Sequence, residues 1–351
     1  VYSFTPNVTI QRSSNWDMSN ARKRQVNNVG FISDQAYESK AKDPLIAIVG
    51  DSYIEAMQVD YPQTVEANLL AKCAPNARVY SFGAQFAPLS QYLSWVEYVS
   101  QQFQPKVMVV NIVGNDFDES LLSHQIASNN GGVPGMQFYD FSGNQSRLVR
   151  VPFKQEGWIT QALRHSALAQ YLVRNVGVVN LLKDYRNGIY PWAAHEPSNS
   201  NTKASEQQKA QTDTVGSTDG MNRINQAGTM HASQSLPSTQ SPSEFVGNAK
   251  RVYTPEKLEL SKKAVDAFLR DLPKFAQLPP NSIVLTVDAE RPLIYTPAGQ
   301  QDLDSFFSVM RRYLIERAKS QGFTVLDLRP VMIKQFESDG KTFEFSDDNH
   351  W

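Results

Sequence analysis

Short apolar runs that alternate with longer amphipathic ones constrain this chain more than any other feature. The runs are LIAIVG (45–50), ARVYSFG (77–83), KVMVVNIVGND (106–116), SIVLTVDAE (282–290) and FTVLDLRP (323–330). Each has the length of a strand, and unbroken hydrophobicity is what a strand carries when helices cover both its faces. Between them, PQTVEANLLAKCA (62–74) sets Val65, Leu69 and Leu70 at helical spacing. LSQYLSWVEYVSQQF (89–103) brings Tyr92, Trp95, Val96 and Val99 to one face. PEKLELSKKAVDAFLRDL (255–272) and QQDLDSFFSVMRRYLIERAKSQG (300–322), the latter with Gly322 as its stop, predict two further helices. Strands and helices alternating in this way predict an α/β protein, a three-layer α/β/α sandwich on a five-stranded parallel sheet with right-handed crossovers.

The flanks and the middle of the chain break this rhythm. Residues 1–43 are polar and irregular with scattered aromatics, and read as an N-terminal arm leading into one domain over 44–351. That domain carries an insertion at about 121–249. Within the insertion, GMQFYDFSGNQSRLVRVPF (135–153) predicts a β-hairpin around Ser-Gly-Asn, and TQALRHSALAQYLVRNVGVVNLLKDY (160–185) a helical stretch. Residues 193–244 are rich in Ser, Thr, Gln, Asn and Gly and contain no Phe, Trp or Tyr. Such a stretch buries too little apolar surface to offset its ordering entropy, so it is expected to be a flexible polar loop.

Composition narrows the function classes. Hydrophobic residues make up 41% and charged residues 20%, as in a soluble globular chain. The net charge of −1, from 34 basic and 35 acidic residues, gives no basic excess for nucleic acid. The single cysteine, Cys73, excludes an intrachain disulfide and a cysteine-rich metal site. No apolar run is long enough for a transmembrane helix. The chain begins at Val1 instead of methionine, which accords with prior removal of a signal or anchor segment.

Chemistry gathers at the carboxyl ends of the apolar runs, where open parallel sheets bind ligands. Those ends read Gly50-Asp51-Ser52, Ser81-Phe82-Gly83 and Gly114-Asn115-Asp116. They supply a hydroxyl, an approachable backbone N–H and a side-chain amide: a nucleophile with oxyanion donors, as acyl transfer requires. The chain closes on SDDNHW, which sets His350 three residues after Asp347 as a base with an acid to orient it. Bland readings stand beside these. Ser52 and Glu55 have the spacing of a capping box, and Asp51 supports the turn. Asp51 and Asp116 lack the histidine or cysteine company of a metal site, so no metal or cofactor is expected. Asp348 competes with Asp347 for the imidazole. His165, His195 and His231 read as ordinary surface or helix residues. Asp118 and His124 are candidate pocket residues, Asp288 a structural acid, and the Tyr92, Trp95, Tyr98 face core packing.

These four blocks, in this order, resemble the SGNH hydrolase superfamily, also called GDSL esterases and lipases. NNVGFISD (27–34) likewise resembles the approach segment of bacterial members. The resemblance covers about 27–120 and 250–351 and is silent on 121–249. It implies a flavodoxin-like fold and a serine esterase with Ser52 as nucleophile, His350 as general base and Asp347 as its orienting acid. The oxyanion hole it implies is formed by the N–H groups of Ser52 and Gly83 and the amide of Asn115, with Asp51 and Asp116 supporting. Two departures stand out: Tyr53 occupies the usual leucine position after GDS, and the chain ends one residue after His350 where members continue into a final helix. The preferred substrate is a small O-acyl group, such as O-acetyl on a carbohydrate, because no apolar stretch resembles a lipid-docking helix. An O-acyltransferase on cell-envelope polysaccharide, with the same site, and a degenerate polysaccharide- or partner-binding module are the alternatives. The resemblance also implies a periplasmic or extracellular location, in the bacterial cell envelope.

Overall fold

The five apolar runs lie side by side in one parallel sheet. The structure is a computed structural model. It describes residues 2–13, 17–18, 21–73, 76–127, 133–143, 146–153, 157, 163, 166–174, 176–178, 253–301 and 303–344. The N-terminal part contains β1 (Val8–Arg12), β2 (Arg22–Val26), β3 (Leu45–Gly50), α1 (Ser52–Glu55), α2 (Val65–Cys73) and β4 (Arg78–Gly83). Then follow α3 (Leu89–Phe103), β5 (Val107–Ile112), α4 (Asp116–Glu119), α5 (Leu122–Ala127), the hairpin β6 (Gln137–Asp140) and β7 (Arg147–Arg150), and α6 (Ala167–Arg174). The chain returns with α7 (Pro255–Ala276), β8 (Ile283–Val287), α8 (Arg291–Ile294) and α9 (Pro297–Gln301). It closes with α10 (Phe306–Ser320), β9 (Thr324–Asp327) and α11 (Arg329–Asp339).

Two compact units divide the chain, residues 1–165 with 242–351, and residues 166–241. The first holds every element above except α6, which belongs to the second. The sheet order is β4-β3-β5-β8-β9, with every neighbouring pair parallel. Alternation along β3 shows why three layers form. Leu45, Ala47 and Val49 enter the large core with Tyr92, Trp95 and Phe268 of α3 and α7. Ile46 and Ile48 face the opposite way, toward Leu69 and Leu70 of α2, as the two-residue period of a strand requires. Tyr92 and Trp95 are fully buried, and burying side chains of that size contributes about 1.5–3 kcal/mol each. No described helix is long and apolar enough to cross a membrane.

Three local expectations change. The N-terminal segment is not irregular: β1 and β2 pair antiparallel, and Val26 and Ile32 pack with Met57, Phe4, Val8 and Ile10. The helix expected over 300–322 is divided, because Ser305 takes an extended conformation and its hydroxyl accepts from Ser308 N–H at 3.1 Å, starting α10 afresh. The last strand stops at Asp327, and Arg329-Pro330 opens α11, since proline fits the first turn of a helix. The stretch 193–244 and most of 160–185 lie outside the described residues.

Candidate active site

The order of strands reverses between β3 and β5: β3 leads outward to β4, and β5 leads the other way to β8. A crevice opens at such a switch point, at the carboxyl ends of the strands. Ser52 stands two residues past the end of β3, Gly83 ends β4, and Asn115 lies three residues past β5. Because β4, β3 and β5 are adjacent, with strands about 4.8 Å apart, all three lie at the carboxyl ends of neighbouring strands. Gly50 and Gly83 are register partners, so β3 and β4 end at the same level, with Ser52 two residues beyond it.

The turn that presents Ser52 does not form the Ser52–Glu55 capping box whose spacing the sequence shows. Asp51, not Ser52, is the N-cap of α1, and its carboxylate accepts from Tyr53 N–H at 3.1 Å. Ser52 is the first helical residue, which leaves its hydroxyl outside the cap. Glu55 does not complete a capping box; its buried carboxylate accepts from Gln85 N–H at 2.6 Å, tying α1 to the loop after β4. Burial pushes the Glu55 carboxyl up to about 7, against the opposing pull of Arg12 and of that N–H. A Cβ on Gly83 would stand 2.7 Å from Glu55 N and 2.8 Å from Asp51 O, so only glycine lets β4 approach the backbone of this turn. From the other side, the buried Arg24 of β2 donates to Ala56 O at 2.6 Å and Val59 O at 2.8 Å. It caps the carbonyls at the left-handed exit of α1, where Ala56 has φ 51°.

Asn115 is partly buried, and its amide donates to Glu119 Oε2 at 2.9 Å. The amide nitrogen carries two N–H groups, so one donation does not exhaust it. Asp116 is fully buried beneath it, accepting from Tyr92 OH and from Val113 N–H, each at 2.9 Å. Burial drives the Asp116 carboxyl well above the usual carboxylate range, and the neighbouring Asp51 pushes the same way. Tyr92 thus has a structural and a polar part: its ring fills the core while its hydroxyl holds the loop that carries Asn115.

A cluster that no local sequence pattern marks gathers at Tyr53, the residue after Ser52. Arg291, buried at the start of α8, donates to Tyr53 OH and lies 5.0 Å over the Tyr53 ring. The same guanidinium stands 3.4 Å from the buried Asp288 and 4.0 Å from Glu344. Burial raises the Tyr53 hydroxyl above its ordinary value, partly offset by the Arg291 charge, so it is neutral at physiological pH and accepts from the arginine. Glu344 also accepts from Tyr295 OH at 2.5 Å. Asp118 pairs with Lys257 and stands 3.7 Å from His124. Among the described residues no three of His, Cys, Asp and Glu gather to hold a metal. Asp347, Asp348 and His350 lie outside the described residues, as do His165, His195 and His231.

No family model matches the sequence. No curated protein matches it either. Among solved structures the chain is similar to AlinE4, an SGNH-hydrolase family esterase, at 24% identity and a TM-score of 0.20. The match covers 28% of this chain and 62% of that esterase, so the chain spans less than two thirds of its length.

Proposed function

We propose that the protein is a serine ester hydrolase acting outside the cytoplasm on small O-acyl groups of carbohydrates. The observation that supports this reading is that Ser52, Gly83 and Asn115 stand at or just past the carboxyl ends of three adjacent strands at the switch point of a parallel sheet. In the proposed reaction Ser52 Oγ attacks the ester carbonyl carbon while His350, oriented by Asp347, takes the hydroxyl proton. The oxyanion is held by the N–H groups of Ser52 and Gly83 and by the Asn115 amide. The carbon–oxygen bond to the alcohol then breaks, and the imidazolium hands its proton to the departing oxygen. Water attacks the acyl-enzyme, gives its proton to His350, and releases the acid as the proton returns to Ser52.

The anchoring of Glu344 supports a C-terminal base. Its partner Arg291 also contacts Tyr53, next to Ser52. Glu344 is the last described residue before Asp347 and His350 in the sequence. The test is turnover of an aryl acetate and of O-acetylated glycans by the purified chain. Hydrolysis that Ser52→Ala abolishes is the expected result; hydrolysis that survives in that variant refutes the assignment.

A further inference from the structure

Three residues past Gly83 the chain does two unfavourable things at one position. Phe86 adopts the left-handed backbone conformation, with φ 62°, which Gly, Asn or Asp would accept far more readily. It also leaves its side chain 64% exposed, although Ala84 and Ala87 in the same loop are buried. The loop is held at both ends of this residue. Gln85 N–H is bonded to Glu55 in the turn that carries Ser52, and Pro88 O accepts from Gln91 N–H at 2.9 Å at the start of α3. Strain that the surroundings maintain clusters at ligand-binding positions, and here it presents an aromatic ring to water three residues after the candidate oxyanion donor.

We propose that Phe86 is a sugar-stacking platform, one wall of the substrate subsite next to Gly83. The platform presupposes the ester-hydrolase reading of Ser52 and deepens it by naming the part of the substrate that is recognised, the pyranose ring bearing the acyl group. An open, single ring suits that ligand better than a fatty-acyl chain. A long acyl chain needs a channel lined by apolar side chains, whereas Phe86 is 64% exposed and the other apolar residues of its loop, Ala84 and Ala87, are turned into the core. A pyranose offers one face of C–H bonds, slightly positive, to the negative face of an aromatic ring. The backbone bond at Gln85 restricts the loop that carries the ring before binding, which reduces the ordering cost.

The test is calorimetric binding of chemically O-acetylated hexose oligosaccharides to the intact chain, with acetate release and aryl acetate turnover measured in parallel. Phe86→Ala is expected to weaken oligosaccharide binding about tenfold. It should also lower kcat/KM on the oligosaccharide several times more than on the aryl acetate, mainly through KM. Phe86→Trp should restore binding, and Phe86→Gly should bind weakly yet melt higher than Phe86→Ala because its backbone accepts the conformation. Unchanged binding in Phe86→Ala, an equal loss on both substrates, or no binding by the parent chain overturns the platform. The two readings fail separately: binding that depends on Phe86 without aryl acetate turnover refutes the esterase, and turnover with binding indifferent to Phe86 refutes the platform.

Discussion

Replacing Gly83 with alanine should damage the reaction far more than the fold. The new Cβ would stand 2.7 Å from Glu55 N, 2.8 Å from Asp51 O and 3.0 Å from Ile54 C, all backbone atoms of the Ser52 turn. Ordinary contact begins at 3.4 Å, so this turn must retreat by about 0.7 Å. Overpacking of this kind costs about 1–3 kcal/mol, which a domain of this size survives. Ser52 moves with the turn, however, and displacing a reacting group by about 1 Å costs on the order of 10²-fold in rate. Gly50→Ala is the control. Its Cβ would meet Ile54 Cγ1 at 2.4 Å and Asn111 Cβ and Ile54 Cβ at 3.2 Å, all side-chain atoms, so it presses on no backbone atom of the turn at these distances. The assay is the second-order rate of fluorophosphonate labelling beside the urea midpoint of each variant. Gly83→Ala should label about 10²-fold slower while still folded, with Gly50→Ala much closer to the parent. A Gly83→Ala protein labelled within about threefold of the parent, or a slower Gly50→Ala, would refute the reasoning.

Glu55→Gln should change the pH dependence of stability. The folded carboxyl is raised from 4.5 to about 7, so the native state keeps a proton that the unfolded chain has lost. The contribution is therefore fully present below pH 4.5 and is lost as pH rises to about 7, by up to about 3 kcal/mol. Glutamine keeps an oxygen for Gln85 N–H and removes this slope. The urea midpoint of the variant should gain on the parent between pH 4.5 and 7 and level off above; a constant difference across that range would contradict it. Arg291→Met strips the buried Asp288 of this cation and should cost about 3–5 kcal/mol in denaturant unfolding, whereas a loss below about 1 kcal/mol would show the cluster to be dispensable. Asn115→Ala should lower kcat about 10²–10³-fold on an aryl acetate; a kcat within tenfold of the parent would remove the amide from the oxyanion hole.

What the sequence made legible follows from which forces act locally. The five sheet strands are readable because burial on both faces leaves unbroken apolar runs such as LIAIVG. The ribbon of β1 and β2 is not, because Val8 and Ile10 alternate over five residues among polar neighbours. The spacing of Ser52 and Glu55 matches a capping box, yet the cap is Asp51, since Glu55 is drawn to the Gln85 N–H of another loop. The chemistry-bearing residue types Ser52, Gly83 and Asn115 can be picked from the strand ends, and the sheet order then explains why those ends are neighbours. Arg291 and Tyr53 are 238 residues apart, and only a sheet that places β8 two strands from β3 brings them together. No local pattern announces that pairing. Phe86 escaped for the opposite reason: its backbone conformation and exposure are properties of the fold, and its residue type alone reads as core.

The most direct measurement is the site of attachment of a fluorophosphonate probe, read by intact mass and peptide mapping. One adduct per chain, carried by Ser52, absent from Ser52→Ala and formed at least about 10³-fold more slowly in His350→Ala, is the result this account predicts. An adduct on another residue with Ser52 unmodified, or no adduct on the folded chain, would contradict it.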